Sequence, residues 1–140
     1  MVKGYCRFHN GIYPRRLYVA VGVDEDTING WFRSERGRLS LDWDGSDAAT
    51  YDEVKEASTG VYGSLAVFRS KQEMTAKVMA HEAVHVIESF MDALGIERSE
   101  DGTNEHLAYL MGWIVGCMDE VRSGKADIVK TDKIKRKDKK

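Results

Sequence analysis

Two histidines and a glutamate near the middle of the chain have the types and the spacing for metal chemistry. The segment His81-Glu82-Ala83-Val84-His85 has the form H-E-x-x-H. On a helix, residues i and i+4 lie on one face about one turn apart, so the two imidazoles could bind one ion. Neutral imidazoles are good zinc ligands, and the carboxylate of Glu82 could accept a proton from a metal-bound water. The pattern predicts a zinc site with a general base beside it.

The same segment also fits an ordinary amphipathic helix. Ala80, Val84 and Ile87 would then form its apolar stripe, and Glu82 would be a solvated charge. This interpretation does not explain why the polar residues at positions 81, 85, 88 and 92 share one face. The metal site is therefore the favoured hypothesis.

The third protein ligand should come from the region after the first helix. A catalytic zinc takes three protein ligands and keeps one position for water, and two helices joined by a short loop bring the start of the second beside the end of the first. Five residues qualify: Glu97, Glu100, Asp101, Glu105 and His106. Glu105 is the predicted ligand because a helix fixes its direction. His106 points about 100° away around the helix and is the alternative.

The spacing of these residues resembles that of a known peptidase family. Glu105 follows His85 after nineteen intervening residues and is preceded by Asn104. This arrangement resembles the gluzincins, the thermolysin-like and aminopeptidase branch of the zincin metallopeptidases, over about residues 61–120. The resemblance implies that Glu105 is the third zinc ligand. It also implies that residues 65–68 lie near an edge strand that binds extended peptide by strand addition.

Two further features qualify the resemblance. Thermolysin-like members carry an Asp one turn after the ligand Glu, where this chain has Tyr109, so the partner that holds the first histidine must differ. Glu88 or Asp92 could substitute only in part. The chain is also similar, in size and in residues 104–110, to short zinc peptidases encoded by phages and prophages.

These observations predict a zinc-dependent metallopeptidase that hydrolyses a peptide or protein substrate. Zinc-activated water would attack the carbonyl, Glu82 would act as general base, and Tyr109 or His106 could donate to the oxyanion. Tyr109 could equally be a packed core residue. The alternative function is a zinc-binding interaction protein of phage type without catalysis. Glu82 argues against it, because a structural site needs no carboxylate there, and Cys117 is too far along the helix to close the fourth position.

The elements that must position these residues can be read from the surrounding pattern. Strands are predicted at about 15–22, 38–43 and 61–68. The capping box Ser70-Lys71-Gln72-Glu73 predicts a helix from about 71 to 94, ended by Gly95. A second helix should start after Asp101 or Thr103 and end near residues 123–124, with Gly112 and Gly116 permitting close backbone approach. The fold class is predicted as α+β: a small zincin-like domain with a mostly antiparallel, three- or four-stranded twisted sheet on two active-site helices.

The composition fits one domain with a charged tail. The chain has 140 residues, is 42% hydrophobic and carries a formal charge of −2. Residues 125–140 hold eight Lys or Arg and three Asp, which leaves 13 basic against 20 acidic residues in the predicted domain at 1–124. The tail has no aromatic residue to stack on bases, so nucleic-acid binding is not favoured. Two distant cysteines, no signal-like start and no long apolar run predict a cytoplasmic protein without membrane contact.

Overall fold

A five-stranded mixed sheet organises the computed structural model, which describes residues 4–43 and 45–129. In chain order the strands are β1 (Cys6–His9), β2 (Arg16–Val21), β3 (Phe32–Arg33), β4 (Ala48–Glu56) and β5 (Tyr62–Phe68). The helices are α1 (Glu25–Trp31), α2 (Ala76–Leu94) and α3 (Glu105–Arg122), with one 3₁₀ turn at Lys71–Glu73. The strand order across the sheet is β1-β2-β5-β4-β3. The architecture is therefore α+β, as predicted.

The sheet differs from the prediction in its strand number and in one pairing. β2 and β5 run parallel, with Tyr18 opposite Leu65, and the other three pairings are antiparallel. Three strands lack a readable pattern: β1 has four residues and β3 has two, which is too few to show a period, and a register shift between Tyr51 and Val54 interrupts β4. An irregularity of this kind breaks the alternation on which sequence prediction of a strand depends.

The two central strands are buried on both faces of the sheet. One face packs against α2 and α3 and includes Leu17, Val19, Val21, Ala66 and Phe68. The opposite face packs against α1 and the segments around it and includes Tyr18, Ala20, Leu65 and Val67. Strands covered on both sides read as continuous apolar runs. For this reason the strands predicted at 15–22 and 61–68 are confirmed as β2 and β5.

The strand predicted at 38–43 is wrong. Leu39 and Leu41 do pack inward. Their backbone groups, however, form hydrogen bonds with side chains and not with a neighbouring strand. The amide of Asn29 bonds both the N–H and the carbonyl of Leu39, at 2.8 Å each, and Glu25 accepts from the N–H of Leu41 at 2.9 Å. The alternating pattern therefore marks an extended segment held against α1 by side chains.

The start of the first predicted helix is also corrected. Ser70 precedes only the 3₁₀ turn and makes no capping hydrogen bond with its side chain. α2 begins at Ala76, where the Thr75 hydroxyl accepts from the N–H of Val78 at 3.2 Å. The predicted end is confirmed, because Gly95 follows Leu94 with a left-handed φ of 68°. α3 ends at Arg122, close to its predicted end.

The two helices do not meet through glycines. A Cβ atom built on Gly112 or Gly116 would find no atom within 4 Å, so the predicted close backbone approach is wrong. The helices meet instead through large side chains, such as Phe90 and Trp113, whose ring centroids lie 6.0 Å apart.

The chain after α3 returns to the first strand. The N–H of Val129 donates to the carbonyl of Tyr5 at 2.7 Å, and Ile128 pairs with Cys6 in an antiparallel bridge. A Cβ on Gly4 would lie 2.3 Å from the Val129 carbonyl oxygen, so glycine is required there. The first residues of the predicted basic tail are thus attached to β1, and its remainder, 130–140, lies outside the described residues. No helix within the described ranges is long and apolar enough to cross a membrane.

Candidate active site

The H-E-x-x-H segment lies in the second and third turns of α2 with its two histidines turned outward. The His81 and His85 rings have centroids 5.1 Å apart, and their side chains are 69% and 50% exposed. Glu82 points the other way, toward the sheet, and its side chain is only 7% exposed. The two imidazoles therefore share an accessible face, and the carboxylate lies between helix and sheet.

The buried stripe of α2 differs from the stripe that the amphipathic-helix interpretation assigns. Val84 is 46% exposed and Ala80 is exposed, although both were assigned to the apolar stripe of that alternative. The buried stripe runs one position earlier and packs on the sheet through Met79, Ala83, Val86, Ile87 and Phe90. Glu82, which should then be a solvated charge, is buried. α2 is thus amphipathic, but the interpretation misplaces Ala80, Val84 and Glu82.

A groove separates this part of α2 from the first residues of β4. It encloses about 550 Å³ and is lined from the helix by Lys77, Val78, His81, Glu82 and His85, and from the other wall by residues 45–50. Among the described strands, β4 has β5 on one side, and β3 pairs on the other side only with Lys55 and Glu56. The outer edge of β4 over residues 48–54 therefore has no strand partner in the described structure, and its first residues, 48–50, line the groove.

Thr50 orients Glu82, and a carboxylate lies near each of the two histidine rings. The Thr50 hydroxyl donates to Oε1 of Glu82 at 2.8 Å, which holds the carboxylate and leaves its Oε2 4.0 Å from Nε2 of His81. Nδ1 of His85 lies 3.8 Å from Oε1 of Glu88. A carboxylate beside one ring nitrogen favours the other nitrogen as a metal ligand. By this rule Nε2 of His85 is the favoured ligand atom, whereas in His81 the free oxygen of Glu82 lies nearest to Nε2.

A buried arginine joins the next turn of α2 to β4. Nη2 of Arg15 donates to the carbonyl of Asp52 at 2.5 Å and to Oε1 of Glu53 at 2.8 Å, at the irregularity in β4. Ser89, one turn after His85, donates to the same Asp52 carbonyl at 2.7 Å. These bonds satisfy the backbone that the irregularity frees, and they fix the helix against the strand that lines the groove.

The structure does not bring the predicted third ligand to the histidines. Glu105 is exposed, and Nε2 of the adjacent His106 lies 2.8 Å from the carbonyl of Glu97, at the loop that follows α2. The nine residues from His85 to Leu94 span about 13 Å of helix. Within residues 4–43 and 45–129, no group of three or more His, Cys, Asp or Glu side chains could hold a metal ion. His81 and His85 as zinc ligands, and Glu105 as the third, therefore stay predictions.

Tyr109 also lies apart from the groove. Its side chain is 45% exposed and it is not among the groove-lining residues, so it is neither the packed core tyrosine nor a donor near Glu82 in this arrangement. Thr50 and Lys77 are among the groove residues that the sequence did not predict. The helical spacing that links His81 and His85 also points back to Lys77, whereas no local pattern could show which strand residue would meet Glu82.

Comparison with known proteins adds no relative: no family model, curated protein or solved structure matches this chain.

Proposed function

We propose that the protein is a zinc-dependent metallopeptidase with its active site in the groove between α2 and β4. One observation carries the proposal: both histidines and the glutamate of H-E-x-x-H line the groove beside the unpaired edge of a strand. Metal ligands, a base and an edge for an extended peptide are the parts that peptide hydrolysis requires.

The chain's own residues divide the chemistry between them. When bound, zinc would lower the pKa of a bound water to about 7 and would polarise the carbonyl of the substrate. A ring nitrogen of His81 and Nε2 of His85 are the proposed ligand atoms. Oε2 of Glu82 accepts the proton of the attacking water and later returns it to the leaving amine. Thr50 occupies the other oxygen at 2.8 Å and so holds the carboxylate in one orientation.

The edge of β4 is the proposed binding site for the substrate backbone. Residues 48–51 pair with β5 on one side only, so their outward backbone groups are available to an added strand. Main-chain hydrogen bonds give affinity in this mode, and the walls of the groove select side chains. β5 itself is an inner strand; the open edge belongs to β4 beside it.

Glu105 remains the proposed third ligand, and it must approach the groove from the first turn of α3 to bind. Asn104 and Glu105 together carry the resemblance to the gluzincins, and Glu105 is exposed and without an ion pair among the described residues. Glu100 lies in the preceding loop and serves as a matched acidic control.

The experiment is elemental analysis of protein purified without added metal, followed by equilibration with zinc. We expect one zinc per chain, retained in Glu82→Gln, weakened in Glu105→Ala and unchanged in Glu100→Ala. A peptide-library digest should then show cleavage by the wild type and none by Glu82→Gln. Failure of the wild-type protein to bind zinc after equilibration would refute the proposal.

A non-catalytic zinc-binding protein is the second candidate. It is favoured by the absence, among the described residues, of a three-ligand group around the exposed histidines, because a partner protein could then complete the coordination. The carboxylate of Glu82, which is buried and accepts a hydrogen bond from Thr50, favours the peptidase. Zinc binding without cleavage of any library peptide, by either the wild type or Glu82→Gln, would decide for the second candidate.

A further inference from the structure

A lysine in the groove has a charge that the proposed hydrolysis does not use. Lys77, His81 and His85 are spaced by four residues, so they follow one another along a single face of α2, and all three line the groove. Lys77 is exposed and forms no ion pair with any described residue. It lies in the first turn, where the helix dipole opposes a cation, so its charge does not stabilise the helix.

The acidic side chains of the groove are engaged elsewhere. Asp47 lies 3.8 Å from Nη2 of Arg69, and Glu82 accepts from Thr50. The groove therefore presents the ammonium group of Lys77 as a charge that a bound molecule could neutralise. A carboxylate is the group on a peptide that would do so, and a charge-assisted hydrogen bond to it is stronger than a neutral one.

The contacts between β4 and α2 indicate which part of a bound peptide would lie beside Lys77. Thr50 contacts Glu82, and further along both elements Asp52 contacts Ser89, so the strand and the helix advance in the same direction. Lys77 precedes Glu82 and therefore lies toward the start of β4. A peptide added antiparallel to β4, the commoner pairing, would run from Asp52 toward Ala48. Its C-terminal part would then pass Lys77.

We propose that Lys77 selects peptides with a carboxylate just after the cleaved bond, an inference that rests on the proposed peptidase function. Lys77 is four residues from His81, about 6 Å along the helix. An extended peptide advances about 3.4 Å per residue, so the carboxylate belongs one or two residues beyond the scissile bond. It is either an acidic side chain or the C-terminal carboxylate of the substrate.

Matched peptides test the proposal in two readouts. A peptide cleaved in the library digest is resynthesised with Glu, Gln or Lys at each of the two positions after the cleaved bond, and each form carries a free or an amidated C-terminus. The kcat/KM values are compared for wild type, Lys77→Ala, Lys77→Glu and Lys125→Glu. Lys125 is exposed, lies outside the groove lining and controls for net charge. Binding to zinc-loaded Glu82→Gln, with and without Lys77→Ala, is measured by fluorescence anisotropy. The same peptides are used or, if no library peptide is cleaved, library peptides that carry Glu, Gln or Lys and a free or amidated C-terminus.

We expect the wild type to prefer one carboxylate form over its neutral partner by about tenfold, the size of a charge-assisted hydrogen bond. Lys77→Ala should abolish the preference, Lys77→Glu should reverse it toward peptides with Lys, and Lys125→Glu should keep it. The preference for Glu or for the free terminus identifies the source of the carboxylate. An equal preference in wild type and Lys77→Ala overturns the proposal.

The two readouts separate this proposal from the peptidase function. Cleavage without any preference for a carboxylate overturns the role of Lys77 and leaves the peptidase intact. No cleavage by the wild type, together with Lys77-dependent binding of the acidic peptides to Glu82→Gln, overturns the peptidase and leaves the recognition of a carboxylate intact.

Discussion

Replacing Glu56 with Gln should destabilise the fold more than any other single charge neutralisation on β4. The Glu56 side chain is fully buried and accepts hydrogen bonds from Arg7 at 2.6 Å, Arg16 at 3.0 Å, Thr59 at 2.6 Å and the Tyr5 hydroxyl. These groups come from β1, β2 and the turn after β4. The carboxylate thus joins the three segments at the end of the sheet farthest from the groove.

The magnitude follows from what the substitution leaves behind. A Gln side chain keeps the volume but removes the charge and turns an N–H₂ group toward donors. Breaking a buried ion pair costs about 3–5 kcal/mol. Because Arg7 and Arg16 are 26% and 22% exposed and can recover some hydration, we expect the lower end, about 3 kcal/mol. For a domain of this size the melting temperature should fall by about 10 °C.

The same carboxylate predicts how the loss depends on pH. Burial by itself would raise the pKa of Glu56, but hydrogen bonds from Arg7, Thr59 and Tyr5 lower it below the ordinary 4.5. A carboxyl with a depressed folded-state pKa stabilises the fold above its unfolded pKa, and that contribution is lost as pH falls through the folded value. The difference in unfolding free energy between wild type and Glu56→Gln should be largest at pH 7 and should shrink below about pH 4.5.

Urea unfolding at a series of pH values measures both effects. Asp52→Asn is the control: it lies on the same strand, but its side chain is exposed and forms no ion pair with any described residue. It should cost at most about 1 kcal/mol. A loss below about 1 kcal/mol for Glu56→Gln at pH 7, or a gap that stays constant into acid, would refute the reasoning.

Three further predictions concern the groove, a thiol and two glycines. Thr50→Val should lower the kcat of peptide cleavage about tenfold without changing zinc content, because Glu82 loses the hydrogen bond that orients it. Steady-state kinetics and elemental analysis measure the two quantities, and an unchanged kcat would contradict the prediction. The Cys117 thiol, whose pKa burial raises to about 12, should react with a thiol reagent only on unfolding, so its rate should follow denaturant concentration. Gly63→Ala would place a Cβ 2.5 Å from a carbonyl of β2 and should lower the melting temperature, whereas Gly112→Ala, in open space on α3, should raise stability by about 0.5–1 kcal/mol.

The sequence predicted what depends on local spacing. The face shared by His81 and His85 follows from 3.6 residues per turn, whatever the helix packs against. The end of α2 at Gly95 follows from the left-handed φ that glycine tolerates. β2 and β5 were predicted because a strand buried on both faces has a continuous apolar run. In each case the physical cause lies within a few residues of the feature.

The tertiary structure decided what depends on contacts between distant segments. Only the pairing of β4 with β5 and the packing of α2 on the sheet bring Thr50 to Glu82, 32 residues apart in sequence. The same packing buries Glu82 and forms the groove around Lys77. It also leaves Glu105 at the far end of α2, because the position of α3 is set by apolar contacts such as Phe90 with Trp113 and not by the spacing of ligands along the chain.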